Sequence, residues 1–286
     1  MNKIAILSDS SVRFSEEFLK KNLNLKILKL GLNLKTELRS INPKDDLKYY
    51  LSNNLISTSQ ISISKISEIY SNILNEYNKI IVFSISKKLS SAYYNFLKIS
   101  KKTEYKNKVF VVDNLTTSAL LGEQIKYCLN FIEKNKKNDL KIDEFLKNIN
   151  VICQDVIKNQ KNFIFLNSLM PLINGGRVNK KIIKLSEKLK LKFALTLKNG
   201  ELKKVAKLRT LKKGMIKFLN KTISNKLEII KIDVKYSEYE NVNLKKYLQK
   251  FLDQYQNLEI TYSPFSNILL SHLGVNVIGI TIWIKK

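Results

Sequence analysis

This 286-residue sequence predicts an α/β fold of two domains, with an N-terminal parallel-sheet domain and a C-terminal mixed-sheet domain. Three observations carry that expectation. Short β-like runs alternate with helical patterns, the signature of βαβ units. In the first third, three apolar runs stop in clusters of hydroxyl side chains: Ser8, Ser10 and Ser11 around Asp9, then Ser57, Thr58 and Ser59, then Ser84, Ser86, Ser90 and Ser91. In the second half, Asn199 and Gly200, which tolerate the positive φ of tight hairpins, separate two apolar runs.

Taken in order, residues 4–7, 27–30, 80–83 and 109–112 read as strands. Asn42 and Pro43 supply the cap and first-turn signals of a helix. Residues 57–60 read as a loop before a helix on which Ile66, Ile69, Tyr70, Ile73, Leu74 and Tyr77 share one face. One of those hydroxyls, or Ser62 or Ser64, can serve simply as its cap. Leu121, Ile125, Cys128, Leu129 and Ile132 repeat the stripe, and lysine-rich residues 133–141 lead into a further helix. A domain boundary is expected at residues 159–162, giving domains 1–160 and 161–286. Beyond it, 163–166, 193–197 and 202–208 read as strands, and 167–173 as a helix with Gly175 and Gly176 as its C-cap. The charge-free stretch 260–284 is interrupted by Pro264, Asn267, His272, Gly274 and Asn276, so it reads as strand, loop and strand rather than a membrane span.

The formal charge of +27 invites a nucleic-acid reading, but 47 of the 51 basic residues are lysines. Only Arg13, Arg39, Arg177 and Arg209 carry the planar fork that reads phosphates and base edges. A chain rich in Asn, Ile and Lys and poor in Gly, Pro, Trp and His reads as compositional bias with a solvated lysine coat. A nucleic-acid site would need a contiguous positive groove with interleaved aromatics. Cys128 and Cys153 lack metal or redox spacing, no metal or cofactor is expected, and residues 4–7 are too short for a signal peptide's apolar stretch. A cytoplasmic protein is the expectation.

Hydroxyls at the carboxyl ends of strands can donate to a bound anion without titrating. That favours holding a ligand over transforming it. A strand followed by a hydroxyl loop that opens a helix, as at residues 80–93, offers an anion both side-chain donors and free backbone N–H groups. Thr58 is expected to face the same cleft as Ser90. Arg177, an arginine in a lysine-biased chain, points to a carboxylate or phosphate. His272, the sole histidine, is either a hydrogen-bonded structural residue or part of the site, with Ser271 and Gly274 allowing close approach of a ligand. Two other readings compete: a serine-dependent hydrolase using Ser90, His272 and Asp113, although no GxSxG elbow is present, and a basic nucleic-acid-binding protein.

Taken together, the motifs resemble the DegV family. They are SDSS at residues 8–11, TSQ at 58–60, IS and LSSAY within 85–93, VVDNLTTSALLG at 111–122, GGRV at 175–178, LTLKNG and LRTLKKG within 195–214, and SHLG at 271–274. The resemblance spans nearly the whole chain. It implies a two-domain protein that is not itself an enzyme: a lipid-binding subunit that takes a long-chain fatty acid into an apolar tunnel between its domains and presents the carboxylate to a fatty acid kinase. By resemblance, Thr58 and Ser90 hold the carboxylate, with Ser91 and His272 at the head group and Arg177 as the kinase contact. Ser8, Asp9, Ser59 and Gly274 are further candidates for the pocket. Departures from the family pattern stand at Ile61, Ser91, Ala92, Asn114, Val275 and Asn276, and they bear on ligand choice. Transient contact with an anionic membrane is a further expectation from the lysine coat.

Overall fold

The computed structural model describes residues 3–34, 43–53, 55–59, 61–135, 141–177, 191–223, 227–239, 244–255 and 257–285. Asn42, Gln60 and Val178 of the motifs above lie outside them. The chain forms two compact units: Met1–Gly31, Ser59–Lys158 and Asn199–Glu201 make the first, and Leu32–Thr58, Asn159–Lys198 and Leu202–Lys286 the second. Compared with the expected domains, the segment Leu32–Thr58 goes with the second unit and the turn Asn199–Glu201 with the first.

From the N-terminus the elements are β1 (Ile4–Asp9), α1 (Glu16–Lys21), β2 (Leu25–Leu28), β3 (Gly31–Leu34), α2 (Pro43–Ser52) and β4 (Ile56–Ser59). The first unit continues with α3 (Ile63–Leu74), β5 (Lys79–Phe83), α4 (Ala92–Ser100), β6 (Val109–Val112), α5 (Ser118–Lys134) and α6 (Ile142–Lys158). The second unit adds β7 (Gln160–Leu166), α7 (Met170–Asn174), β8 (Lys192–Lys198), β9 (Glu201–Leu208), α8 (Leu211–Thr222) and β10 (Ile229–Tyr236). It closes with α9 (Leu244–Leu252), β11 (Glu259–Pro264), α10 (Asn267–Leu273) and β12 (Val277–Ile284).

In the first unit the sheet order is β2-β1-β5-β6, and every pairing is parallel. Strand order reverses direction between β1 and β5, which makes their carboxyl ends the switch point where open α/β sheets place ligands. Ile81 and Phe83 of β5 pack with Leu121, Ile125 and Cys128 of α5 and Ile149 and Cys153 of α6. The alternate residues Ile80 and Val82 face the opposite side and are fully buried too, so both faces of the sheet are covered. Ser62 caps α3 by accepting from Lys65 N at 3.2 Å, and Ile66, Tyr70 and Ile73 form its buried stripe. The capping reading of this serine is therefore the observed one, while Tyr77 lies past the end of the helix.

The second unit is built on a six-stranded sheet ordered β11-β10-β12-β7-β8-β9, with β10 and β11 parallel and the pairs β10/β12, β12/β7 and β7/β8 antiparallel. Helices α8 and α9 cover one face, where Leu211, Met215, Leu219, Leu244, Leu248 and Phe251 meet Phe163, Phe165, Ile232 and Ile280. Asn199 at φ 52° and Gly200 at φ 80° make the expected β8–β9 turn.

Two expected loops are regular elements. Residues 56–59, read as loop from their hydroxyls, form β4, which pairs with β3 in a two-stranded sheet. Residues 267–273, read as the loop between two strands, form α10, ended by Gly274 at φ 79° with its N–H bonded to Leu270 O at 2.8 Å. Pro264 closes β11 and frees the chain to turn into this helix, whose Ile268, Leu269, Leu270 and Leu273 are buried. The strand expected at 27–30 ends instead at Leu28, and the helix expected from 167 begins at Met170.

Candidate functional site: a threonine–histidine pair and a serine turn

In the second unit, β4 and α10 bring Thr58 and His272 together, with Oγ1 and Nε2 3.3 Å apart. The opposite edge of the imidazole lies against Gly175. A Cβ on Gly175 would stand 2.6 Å from Nδ1 and 3.2 Å from Cε1, so no larger residue fits with the ring in this place. Gly175 has an ordinary helical φ of −78°, so glycine is required here for closeness rather than conformation. Its neighbour Gly176, at φ 73°, takes the left-handed position that ends α7.

Arg177 follows directly. Its backbone N–H donates to Leu172 O at 2.8 Å, and its guanidinium Nη1 donates to Gly175 O. Burial lowers the pKa of the guanidinium, though it stays charged. Burial, and secondarily the nearby Arg177 charge, hold the imidazole of His272 down at about 4. The ring is therefore neutral at physiological pH, and it can exchange a hydrogen bond with a hydroxyl without adding charge. Thr58, His272 and Arg177, spread over 214 residues of chain, thus gather in one unit around Gly175.

The first unit carries the serines. Ser90 is half-buried, and its Oγ accepts from Ala92 N at 3.2 Å at the opening of α4. In that role the oxygen is the acceptor, which leaves the hydroxyl proton to be donated. Ser91 is exposed and stands at the N-cap position of α4 without a side-chain capping bond. Ser84 and Ser86 differ from Ser90 because both are buried and hydrogen-bonded internally: Ser84 Oγ donates to Ile85 O, and Ser86 Oγ donates to Gly200 O at 2.9 Å.

Asp9 is fully buried at the switch point. Its carboxylate accepts from Ser11 N at 2.9 Å and from Ile85 N at 2.7 Å, pinning the end of β1 to the end of β5. Burial nonetheless raises its pKa. Ser8 is fully buried within β1, and the Ser59 hydroxyl sits where a side chain on Gly31 would otherwise be, which accounts for that glycine. Gly274 lies beside Pro171.

Asn114, one of the departures named above, is a brace. Its Nδ2 donates to Ser84 O at 2.6 Å, and its Oδ1 accepts from Thr116 N at 2.8 Å. Gln124 extends the brace to the carbonyls of Asn114 and Cys153 at 3.1 Å each. Asp113 pairs instead with Lys87 at 2.6 Å. Sequence reasoning did not single out Gly175 as a histidine seat or Ser86 as an anchor. The one available signal was that both Gly175 and Gly200 occur in a chain holding eight glycines.

A parallel sheet with a switch point in one unit and a mixed sheet in the other define a protein of two α/β units. The sequence profile described as "Uncharacterised protein, DegV family" matches residues 3–285, and the chain belongs to that family. Among relatives, a DegV domain-containing protein of Mycoplasmopsis pulmonis is 28% identical over 98% of this chain and 94% of its own length. A Thermotoga maritima protein named fatty acid-binding protein is 26% identical over 78% of this chain and 75% of its own. Among solved structures, a fatty-acid-binding DegV family protein of Thermus thermophilus superposes with a TM-score of 0.77 at 19% identity, covering 99% of this chain and 100% of that one. A stearic acid-binding protein of Eubacterium ventriosum gives 0.76 at 19% identity, covering 100% of this chain and 99% of that one. These likenesses confirm the two-domain α/β fold.

Proposed function

We propose that this protein binds a long-chain fatty acid as a non-enzymatic carrier and presents its carboxylate to a separate fatty acid kinase. The observation that carries the reading is the pairing of Thr58 with a neutral His272 beside Arg177. With the ring proton on Nε2, His272 donates to Thr58 Oγ1, and the threonine proton is then turned toward an acceptor, the fatty acid carboxylate. Ser90 is held in the complementary way, accepting from Ala92 N and free to donate its proton to the same head group. Ser91, at the opening of α4, adds a second hydroxyl. Relatives that bind fatty acids, one of them stearic acid, support the ligand class.

The energetics divide the labour. Each buried methylene contributes about 0.8 kcal/mol, so roughly fifteen give about 12 kcal/mol gross before ordering and desolvation costs. Each hydrogen bond to the charged head contributes about 1.5 to 3 kcal/mol against its desolvation. The tail sets affinity, and the hydroxyls set which end is presented. A carboxylate held by neutral donors keeps its nucleophilicity, which attack on a phosphoryl donor requires. Arg177, in the same unit as Thr58 and His272, is the proposed contact for the kinase, and its charge biases the site toward anions. The hydrolase alternative draws no support from its expected partners. Asp113 is ion-paired with Lys87, and among the described residues no carboxylate hydrogen-bonds His272.

The direct test is extraction of the purified protein followed by mass spectrometry. A long-chain fatty acid near one equivalent is expected from the wild type, and strong depletion from Thr58→Ala combined with Ser90→Ala. A protein that emerges empty and refuses added palmitate contradicts the reading.

A further inference from the structure

The loop that carries Ser90 is fastened by the turn of a distant hairpin, and the fastening point is Ser86. Ser86 is 2% exposed. Its Oγ donates to Gly200 O at 2.9 Å and accepts from Lys88 N at 3.3 Å. Its backbone carbonyl receives both Leu89 N at 2.9 Å and Ser90 N at 3.1 Å, while its own N–H donates to Thr116 O at 2.8 Å. Every polar group of this one residue is thus used to shape the turn from 86 to 90.

The turn Asn199–Glu201 belongs with the first unit, although most of β8 and β9 belongs with the second. Gly200 is required twice over. Its φ is 80°, and an added Cβ would meet Ser86 Oγ at 2.5 Å and Leu115 Cδ2 at 3.2 Å. Leu115, which flanks the other side of Gly200, is itself held at φ 57°, a conformation that costs free energy in a non-glycine residue and persists only where its surroundings impose it. Lys88 and Glu201 add an ion pair at 2.8 Å across the same contact, too exposed to contribute much.

We infer that Ser86 and the Gly200 turn form a clamp whose function is to position Ser90, making Ser86 a positioning residue for head-group recognition. This rests on the proposal that Ser90 donates to the carboxylate, and the experiment separates the two. Hydrogen exchange of the unliganded protein reads the clamp alone. In Ser86→Ala, the amides of Lys88, Leu89 and Ser90 should exchange up to roughly tenfold faster, the equivalent of one lost hydrogen bond, with β1 and β5 amides unchanged. Gly200→Ala, which strikes the same contact from the other side, should reproduce that local change.

Ligand affinity reads the consequence. Ser86→Ala should weaken palmitate by up to roughly tenfold while leaving hexadecanol, which lacks the carboxylate, within about twofold. With Ser90→Ala already present, Ser86→Ala should add nothing, because the group it positions is gone. Unchanged exchange at residues 88–90 in both variants overturns the clamp. So does equal weakening of palmitate and hexadecanol, or full additivity with Ser90→Ala, each of which marks Ser86 as merely structural. If Ser90→Ala itself leaves palmitate affinity untouched, the carboxylate role of Ser90 falls, and accelerated exchange still establishes the clamp.

Discussion

His272 is the sole histidine, so its titration can be read without assignment ambiguity. Desolvation and the Arg177 charge both disfavour the imidazolium, and the proton NMR signal of the ring should titrate near 4 rather than near 6.5. The sign of the linked stability follows. A base whose folded pKa lies below its unfolded value contributes full stability above pH 6.5 and loses it as pH falls from 6.5 toward 4, at no more than about 1.4 kcal/mol per pH unit. Gly175→Ala pushes a methyl into the ring. It should displace the imidazole from its seat, raise the observed pKa and weaken palmitate binding; a ring that still titrates near 4 would show that the seat is not needed. Thr58, Ser90, Arg177 and His272 were proposed from motif order, because each stands in a short pattern. That Gly175 is a seat was not legible, since a glycine spared for contact and one spared for φ look the same in sequence.

Elements were legible where periodicity was long and misread where it was short. The α5 stripe from Leu121 to Ile132 declares itself over three turns, whereas β4 has four residues and three hydroxyls, and nothing in its own composition separates strand from loop. α10 was hidden for another reason. It is a seven-residue helix set between two apolar strands, so its buried leucines merge with theirs into one hydrophobic stretch. The pairing of Thr58 with His272 depends on both misread elements, which is why motif order suggested the partners without giving the contact. At this scale the hydroxyls around TSQ divide by role. Ser62 caps α3, and Ser62→Ala should cost about 1 kcal/mol of stability in denaturant titration while leaving palmitate affinity unchanged. Loss of binding without loss of stability would reassign that serine to the site.

For the whole molecule, fold class and sheet type were legible from alternation alone, but the division into units was not. A chain that passes Leu32–Thr58 to one unit and Asn199–Glu201 to the other leaves no compositional mark at the exchange points. The lysine excess resolves partly into internal contacts: Lys245 lies over Tyr236 and Tyr262, and Lys212 over Tyr247 at 4.1 Å. Among the described residues no helix is long and apolar enough to cross a membrane, and no cluster of His, Cys, Asp or Glu has the makings of a metal site. The central proposal is that Thr58 and Ser90 each donate to the fatty acid carboxylate. The measurement that tests this most directly is carbon-13 NMR of carboxyl-labelled palmitate added to the protein. The account predicts one bound carboxyl resonance, distinct from free palmitate, that moves in Thr58→Ala and again in Ser90→Ala. A bound resonance indifferent to both substitutions, or none at all, would contradict it.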